Sequence, residues 1–275
     1  MAKLTKIAII GIIVAVVAVA GVVGFLLWPR EVYDLSYNFK PGETYVYEAI
    51  QTQEIAGQKI DTKTKLKTDV LRVKANEFTV RCDMIIQTSQ PPQAIKAVWI
   101  QTQTSKGKPK SLNIVSVEPP ALRRATEKEV TLNFEQLPAT YPVKPLPIAI
   151  GPFWGGWTTP IEFEARMPKI CINFVGETEN RLEGMERIRV PAGEFDCFRL
   201  THEMHLVGEG LVRKNQTLTI KMFTNSIEWV DRESGATIKS ETYTEEETKI
   251  GTVLTIKTTT EGVKELIRYR PSRLS

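Results

Sequence analysis

The stretch "RVPAGEFDCFRL", Arg189–Leu200, decides the fold class, because it places a Pro-Ala-Gly turn directly before a run of alternating side chains. Pro191 presets φ and Gly193 accepts backbone conformations that other residues avoid, so the chain turns here. The residues from Glu194 to Val207 then repeat with a period of two, which is the period of a strand and not of a helix. The stretch therefore predicts a turn that leads into a half-buried β-strand.

The same period of two continues on both sides of this stretch, in runs rich in Val, Ile, Thr, Phe and Tyr. Short connections at Ala56, Ala75, Ser105, Asp231 and Ile250 have the composition of hairpin turns, so consecutive strands should be antiparallel. We expect an all-β, antiparallel, curved sheet that forms either a half-barrel or a sandwich. Its two related halves would span about residues 31–117 and 160–275, joined by 118–159. The expected strands are Tyr45–Glu54, Ile60–Lys74, Glu77–Thr88, Ala94–Thr104, Ser111–Val117, Ile161–Ala165, Ile170–Glu177, Arg187–Val190, Glu194–Val207, Leu211–Phe223, Ile227–Val230, Thr237–Thr248 and Thr252–Thr259.

The N-terminal run Ile7–Trp28 contains no charged residue. At about 1.5 Å per helical residue it reaches roughly 33 Å, enough to cross a hydrocarbon core of about 30 Å. It predicts a transmembrane anchor after a cytoplasmic stub, residues 1–6, and before an extracytoplasmic β-domain, residues 29–275. Lys3 and Lys6 favour a cytoplasmic N-terminus. The alternative is a signal peptide cleaved after the small residues Ala18–Ala20.

Composition excludes several classes of function. The chain has 36 Lys and Arg against 32 Asp and Glu, and 42% hydrophobic residues, so it is a globular protein without a nucleic-acid footprint. It contains no nucleotide-binding loop, nucleophile elbow, calcium loop or Cys-pair motif. The sequence therefore predicts a protein that is not an enzyme and that needs no cofactor.

Leu137–Pro160 breaks the alternating pattern with a high density of proline, glycine and aromatic residues. Prolines at this density do not fit central strands, so the segment should connect the two halves. Its aromatic residues either cap the open end of the sheet or line a binding site. The candidate ligand-binding residues are Tyr141, Phe153, Trp154 and Trp157.

Strand parity sorts the cysteines. Cys82 lies in an apolar row and is expected in the core, whereas Cys171 and Cys197 lie on the more polar faces of their strands. Outside the cytoplasm Cys171 and Cys197 could form a disulfide if their Cα atoms lay within about 7 Å, and three thiols are the alternative. A nucleophilic Cys197 is disfavoured, because His205 is eight residues away on the same strand, over about 25 Å at roughly 3.3 Å per residue.

The stretch "THEMH", Thr201–His205, resembles a zinc-protease motif but places its histidines three apart. In a strand, His202 and His205 point to opposite faces, so no metal site is expected. Lys63, Lys65 and Lys67 share one face and should be an outward charged row. Asn215 in "NQT" is a glycosylation candidate.

"ERIRVPAGEFDCFRLTHEM" and, downstream, "IEWVDRESGATIKSET" resemble uncharacterised secreted or membrane-anchored β-rich prokaryotic proteins that share a Val-Pro-Ala-Gly-Xaa-Phe turn. "LPIAIGPFWGGW" is similar to the entry of the same module, and "TYVYEAIQTQEIAGQKI" looks like its opening hairpin. The resemblance implies a curved sheet like that of lipoprotein carriers, and a structural role for Cys197. Likeness of fold alone does not determine a function.

Taken together, these features predict a membrane-anchored, extracytoplasmic, non-enzymatic binding module for a lipid or another hydrophobic ligand. The alternative is a cell-envelope structural or adhesion protein that assembles through its β-domain. Its expected partners are the membrane, through Ile7–Trp28, and an apolar small molecule or an envelope protein.

Overall fold

The computed structural model describes residues 32–33, 35–89, 92–119, 131–132, 146–147, 156–167, 170–212, 216–252 and 254–272. Backbone contacts divide the chain into two units, Met1–Val32 and Tyr33–Ser275, and the fold described here is that of the second. The strands are β1 Val32–Tyr33, β2 Thr44–Ile55, β3 Gln58–Lys74, β4 Glu77–Ser89, β5 Pro92–Thr104, β6 Pro109–Glu118, β7 Thr131–Leu132, β8 Leu146–Pro147, β9 Gly156–Met167, β10 Ile170–Val190, β11 Gly193–Val212, β12 Gln216–Asp231, β13 Thr237–Ile250 and β14 Leu254–Arg270.

Twelve of these strands form one sheet, in the order β6-β5-β4-β3-β2-β14-β13-β12-β11-β10-β9-β7. Apart from the two-residue β7 at one edge, its strands are ten or more residues long. All of its pairs are antiparallel, and the sheet is curved and open. The predicted all-β, antiparallel, curved sheet is confirmed, and the sandwich alternative is wrong because both halves belong to one sheet.

The pairing of β14 with β2 joins the two halves. The last long strand of the chain lies beside the first, in a register that sets Thr258 opposite Ile55 and Arg270 opposite Thr44. A register shift between Leu266 and Arg268 bends β14 at this seam. The last long strand, β14, therefore pairs with the first long strand, β2, in the middle of the open sheet.

Several strands are longer than the sequence predicts, and two pairs of predicted strands are each a single strand. Ile170–Glu177 and Arg187–Val190 belong to one strand, β10, which accommodates Glu183 as an extra residue in a register shift between Leu182 and Gly184 instead of turning there. Leu211 belongs to β11, which ends at Val212, and Ile227–Val230 continues β12 without a break. The intervening residues lack a Pro-Gly or Asn-Gly pair, and long strands can accommodate a single irregular residue as a bulge.

The five predicted hairpin connections are confirmed. At the tightest of them, Ala56 and Gly57 both have positive φ, 50° and 80°, as the mirror-image turns of two-residue hairpins require. The turn that opens β11 also forms where predicted, with Val190 opposite Gly193.

Buried residues lie on one face of the sheet, which we call the inner face, over most of its width. Leu182, Leu200 and Leu266 are fully buried there, and each contributes about 1.5–3 kcal/mol by leaving water. The outer face carries exposed side chains, including Arg199 and His205. The predicted row Lys63, Lys65 and Lys67 lies on that outer face and is confirmed as a charged, exposed row, with a Lys63–Glu48 ion pair at 3.0 Å.

The segment Leu35–Glu43, which we call the cap segment, crosses one end of the inner face. The Tyr37 amide donates to the carbonyl of Ser105 at 2.7 Å, and the Asn38 amide donates to that of Ser234 at 2.8 Å. Gly235 has φ +70, and a Cβ there would lie 2.1 Å from the Ser36 carbonyl oxygen. The cap therefore ties the β5–β6 turn to the β12–β13 turn.

A buried carboxylate anchors the cap segment. Glu43 is 4% exposed and accepts hydrogen bonds from the hydroxyls of Tyr45, at 3.0 Å, and Tyr269, at 2.9 Å. The backbone amide of Lys40 donates to the same carboxylate at 2.8 Å. Since Tyr45 is in β2 and Tyr269 is in β14, Glu43 binds the cap to both strands of the seam.

The cysteine predictions are correct for Cys82 and wrong in two respects for Cys197. Cys82 is in the core as expected, but Cys197 is fully buried instead of lying on a polar face. The tip of the β10–β11 hairpin bends after Gly184 and covers β14, where the Ala192 amide donates to the Leu266 carbonyl. This contact buries Cys197 in the core cluster that also contains Leu266.

The Cys171–Cys197 disulfide hypothesis is also wrong. Cys197 lies opposite Glu186, and Cys171 lies at the other end of β10, opposite Leu211. At about 3.3 Å per residue this separation is roughly 50 Å along the strand, far beyond the reach of a disulfide. No disulfide occurs among the described residues.

The predicted anchor Ile7–Trp28 and most of the predicted connection 118–159 lie outside the described residues. In the part of the chain that the structure describes, no helix has the length and apolarity to span a membrane.

We expect Glu43→Ala to lower the free energy of unfolding by about 1–3 kcal/mol, because the hydroxyl of Tyr45 loses its acceptor inside the protein. Urea unfolding of the variant measures this change. Glu54→Ala, at an exposed position of β2, is the matched control and should change stability by less than about 0.5 kcal/mol. Equal stability of both variants would contradict the anchoring role of Glu43.

We also expect the thiols to react in two classes. Cys171 is exposed, whereas Cys82 and Cys197 are buried, and burial raises the pKa of their thiols to about 11 and about 12. The thiolate is the reactive form, so iodoacetamide at neutral pH should modify Cys171 in the folded protein and the other two only after unfolding. Mass spectrometry of the digested protein gives the result, and rapid native modification of Cys197 would contradict the bent hairpin tip.

Candidate functional site

Of the four aromatic residues predicted to line a binding site, the structure describes Trp157, which is half-buried at the start of β9. Tyr141, Phe153 and Trp154 lie outside the described residues, and so does the glycosylation candidate Asn215. The site is therefore built here from Trp157 and its neighbours.

Trp157 begins a polar row across three neighbouring strands. In the register of the sheet, Trp157 lies opposite Asn180, and Asn180 lies opposite His202. Directly opposed residues of antiparallel strands share a face, so all three side chains are on the inner face with Leu182 and Leu200. We call Trp157, Asn180 and His202 the polar row.

Asn180 holds the polar row together. It is 5% exposed, and its amide nitrogen donates to the carbonyls of Trp157, at 3.1 Å, and Thr178, at 3.0 Å, and to the Thr159 hydroxyl at 3.3 Å. Because carbonyl oxygens only accept, these bonds determine which end of the amide is nitrogen. The Asn180 oxygen therefore faces His202, 2.7 Å from its Nδ1.

This orientation determines the tautomer of His202. An amide oxygen accepts only, so Nδ1 of His202 carries the proton and donates it to Asn180. In the neutral imidazole, Nε2 is then an acceptor with a lone pair. Nε2 lies 3.8 Å from Oε2 of Glu228, too far for a hydrogen bond.

Burial keeps the imidazole of His202 neutral. Removal from water lowers the pKa of His202 below its ordinary value of 6.5, and the nearby Glu228 carboxylate raises it by a smaller amount. The side chain of His202 is 15% exposed and that of Glu228 is 27% exposed. At neutral pH the site therefore presents an imidazole lone pair beside a carboxylate.

Two atoms of the polar row are buried without a partner. Among the described residues, Nε1 of Trp157 and Nε2 of His202 are the buried side-chain nitrogen or oxygen atoms that make no hydrogen bond. The first is a donor, and the second is an acceptor in the tautomer that Asn180 selects. Buried polar groups are nearly always hydrogen-bonded, so these two atoms carry a desolvation cost that no bond within the described residues offsets.

An apolar patch lies further along the same face. The rings of Phe163 and Phe174 stack with centroids 4.8 Å apart, and Gly208 leaves room for Phe174, whose ring would lie 2.5 Å from a Cβ. Ile172 and Leu206 are 3% and 7% exposed. We call these residues the distal patch. Asn180 and Phe174 are six residues apart, roughly 20 Å at about 3.3 Å per residue.

The cap segment covers the inner face on the side of the polar row that lies away from the distal patch. Leu35 of the cap segment packs with Leu182 and Leu200 in one buried cluster, and Trp157 packs against that cluster. The inner face is thus apolar and covered at the cap, polar at the row, and apolar again at the distal patch. A molecule lying along β10 and β11 would meet the row with one end and the distal patch with the other.

The interpretation of the two histidines is confirmed. His205 lies on the outer face, its imidazole 3.0 Å from Glu203 and 4.9 Å from the ring of Phe223, while His202 lies on the inner face. Within the described ranges, no group of three His, Cys, Asp or Glu side chains could hold a metal ion.

Sequence reasoning did not identify Asn180 and Glu228 as site residues. Parity would have placed Glu228 on the face of Val230, an apolar residue, and a carboxylate on an apolar face is a usable signal. Asn180 gives no such signal, because it lies between the predicted strands Ile170–Glu177 and Arg187–Val190, where parity assigns no face. Its role depends on the register with β9 and β11, which is set by pairing over long distances in the chain.

Comparison with known proteins gives partial matches. The model of the DUF3108-like family matches residues 163–254, about a third of the chain, which includes Asn180, His202 and Glu228 and the Val-Pro-Ala-Gly turn but not Trp157. The resemblance to lipoprotein carriers stays a prediction. No curated protein matches the chain significantly.

Two solved structures resemble the chain at 12% identity. One is a protein of Parabacteroides distasonis classed as a lipoprotein, with a TM-score of 0.35, and the other is a protein of Bacteroides fragilis classed as an exported protein with a YmcC-like fold, with a TM-score of 0.34. Each match covers 86% of this chain and 100% of the other. Likenesses with TM-scores this low support no statement about function.

We expect the stability of the protein to fall as the pH drops below about 6.5. Because the pKa of His202 is lower in the folded protein, the unfolded chain binds the proton first, and the free energy of unfolding decreases between the ordinary pKa and the lowered one. Above the ordinary pKa this contribution is fully present. Urea unfolding at a series of pH values measures the slope.

His202→Gln should flatten this slope, since it removes the buried imidazole. His205→Gln is the matched control and should keep the slope, since it leaves the Asn180–His202 pair intact. Identical slopes in the parent and His202→Gln would show that His202 is not desolvated in the folded protein.

Proposed function

We propose that the chain is a non-enzymatic binding protein that holds an elongated apolar molecule along the inner face of β9–β12. The observation that carries this proposal is the order of chemistry along that face. An unpartnered donor and acceptor at the polar row are followed, roughly 20 Å away, by the distal patch.

The residues between these two ends suit an alkyl chain. Thr178, Met204 and Thr224 lie side by side on the inner face and are half-buried. Met is flexible and adapts to apolar ligands, and threonine presents a methyl group once its hydroxyl is bonded. The Thr224 hydroxyl shares such a bond with Thr244 at 3.1 Å. An alkyl chain that lies across Thr178, Met204 and Thr224 would be removed from water without breaking the Thr224–Thr244 hydrogen bond.

The described chemistry favours binding over catalysis. The buried thiols have pKa values of about 11 and about 12, so they are protonated at neutral pH and are poor nucleophiles. The Nδ1–H group of His202 donates a hydrogen bond to the amide oxygen of Asn180 and not to a carboxylate. This bond orients the ring without making it a stronger base. The described side chains of the site are therefore suited to binding a ligand and not to nucleophilic or acid–base chemistry.

We further propose that Ile7–Trp28 holds this domain at the outer surface of a membrane, as its apolar length suggests. A domain anchored in this way would meet apolar molecules that partition into the membrane, and it could shield them from water.

The test uses the full-length chain in phosphatidylcholine vesicles and a photoreactive long-chain alcohol that bears a diazirine near the end of its alkyl chain. After irradiation, mass spectrometry maps the labelled peptides, and labelling of Ile7–Trp28 serves as the internal reference. We expect labelling of β10–β12 peptides that carry Phe174, Leu206 or Met222. Met204→Lys should reduce it by about tenfold or more, because the ammonium group would be desolvated by the alkyl chain.

His205→Lys is the matched control, because it places the same charge one residue further along β11 on the outer face. It should leave the labelling unchanged, and melting temperatures should show that both variants fold. Labelling confined to the anchor in the parent protein would contradict the proposal. Concentration-dependent oligomers without labelling would favour the alternative, a structural envelope protein.

A further inference from the structure

We infer that the cavity between the cap segment and the β12–β13 turn is a second binding site, which takes a small organic amine through its ammonium groups. The cavity has a volume of about 620 Å³, within the range of pockets that enclose a small molecule. None of the residues of the polar row or the distal patch lines it, and it does not depend on the proposed function.

Long-range contacts hold the walls of the cavity in place. The Asn38 amide of the cap segment donates to the Ser234 carbonyl at 2.8 Å, and the Arg232 amide donates to the Asp196 carbonyl at 3.0 Å. The cap segment, the β12–β13 turn and the start of β11 are therefore joined around one space. The lining comes from Asn38, Lys40, Glu43, Tyr45, Glu194–Asp196, Asp231–Ser234 and Tyr269.

One wall of the cavity holds a buried negative charge. Glu43 is 4% exposed, and its three donors, the hydroxyls of Tyr45 and Tyr269 and the amide of Lys40, are all neutral. Within the part of the chain that the structure describes, no side-chain cation forms an ion pair with it. Buried carboxylates are rarely left without a counter-charge. A cation in the cavity would supply one, acting across the half-buried Tyr269 and not by direct contact with Glu43.

Two hydroxyls of the cavity can only accept hydrogen bonds from a ligand. The Tyr269 hydroxyl donates its proton to Glu43 at 2.9 Å, and the Ser234 hydroxyl donates its proton to Asp231 at 2.6 Å. A hydroxyl has one proton, so both oxygens retain only lone pairs. A ligand group that donates hydrogen bonds therefore fits, and a primary ammonium group has three protons to donate.

The net charge of the lining is negative. Asp196 is compensated, because it accepts hydrogen bonds from Arg187 at 2.8 and 3.2 Å and the charge of Arg232 also acts on it, and both effects lower the pKa of its carboxyl. Lys40 is the other cation of the lining. The four remaining carboxylates are those of Glu43, Glu194, Asp231 and Glu233. The cavity therefore attracts cations and repels anions.

The lining suits an organic cation and not a metal ion. Among the described residues, no three His, Cys, Asp or Glu side chains are placed to hold a metal. The rings of Phe195 and Tyr269 also line the cavity, and aromatic rings beside a cation are favourable. The size of the cavity fits a whole diamine or polyamine, which brings ammonium groups on a short alkyl chain.

Isothermal titration calorimetry tests the site on the full-length chain in phosphatidylcholine nanodiscs, with empty nanodiscs as the baseline. The probe is 1,6-hexanediamine at about pH 7, where both amines are protonated. Two compounds with the same alkyl chain are compared with it: 1,6-hexanediol is neutral, and hexamethonium keeps both charges but has no N–H group. We expect saturable binding of the diamine and an affinity lower by about tenfold or more for each analogue, because hydrogen bonds from a charged donor are lost.

Glu194→Gln and Glu233→Gln each remove one exposed carboxylate of the lining. Each should lower the affinity for the diamine by about two- to fivefold, and the double variant by about tenfold. Glu209→Gln is the matched control and should leave binding unchanged, since it makes the same change further along β11, roughly 50 Å from Glu194 at about 3.3 Å per residue. Melting temperatures establish that the variants fold.

A folded parent protein that shows no saturable binding of the diamine would overturn the inference, and so would equal affinity for hexamethonium or hexanediol. Equal losses in Glu209→Gln and in the double variant would show that the diamine binds surface charge and not the cavity. Tighter binding of the peptide Gly-Lys-Gly would point to a lysine side chain of a partner protein and overturn the assignment to a small molecule.

Discussion

The structure depends on the pairing of β14 with β2. This seam places the end of the chain beside its beginning and makes one continuous sheet from two runs of strands. A single sheet must bury its apolar face against something. Here the sheet curves, so that side chains of the same face pack against one another and against the cap segment. The largest core cluster draws on both sides of the seam, with Tyr45, Val70 and Cys82 from one half and Cys197, Ile238 and Leu266 from the other. The cap segment reinforces the seam, because Glu43 binds a tyrosine on each of the two strands.

The chemical character of the inner face changes along the strands, and the proposed function depends on that change. Near the cap the face is filled by side chains that the protein supplies itself. Beyond the polar row it is apolar again, with Ile172 and Leu206 buried, and at the row a donor and an acceptor have no partner among the described residues. Proteins rarely bury polar groups without partners, because each such group costs about 1–3 kcal/mol.

Much of this fold could be predicted from strand parity and turn chemistry. The alternation in Phe198–Leu206 correctly assigned the inner face of β11, and it placed His202 and His205 on opposite sides. The hairpins at Ala56 and Ala75 followed from local composition. Parity failed for Cys197, because the bend after Gly184 buries outward residues, and no local pattern announces that bend. Asn180 could not be recognised, since its function comes from partners on β9 and β11 that only the register of the sheet brings together.

The inner face of β9–β12, which begins at Trp157, is the surface on which we propose that an elongated apolar molecule lies. The most direct measurement is a ¹⁵N–¹H correlation spectrum of the full-length chain labelled on its five tryptophans, recorded in phosphatidylcholine nanodiscs while dodecanol is added. The Trp157 indole signal, assigned with Trp157→Phe, should shift as the alkyl chain packs beside the polar row, while the signals of Trp99 and Trp229, whose indoles donate to Gln101 and Glu186, stay in place. An unmoved Trp157 signal, or equal shifts of the Trp157, Trp99 and Trp229 signals, would contradict the proposal.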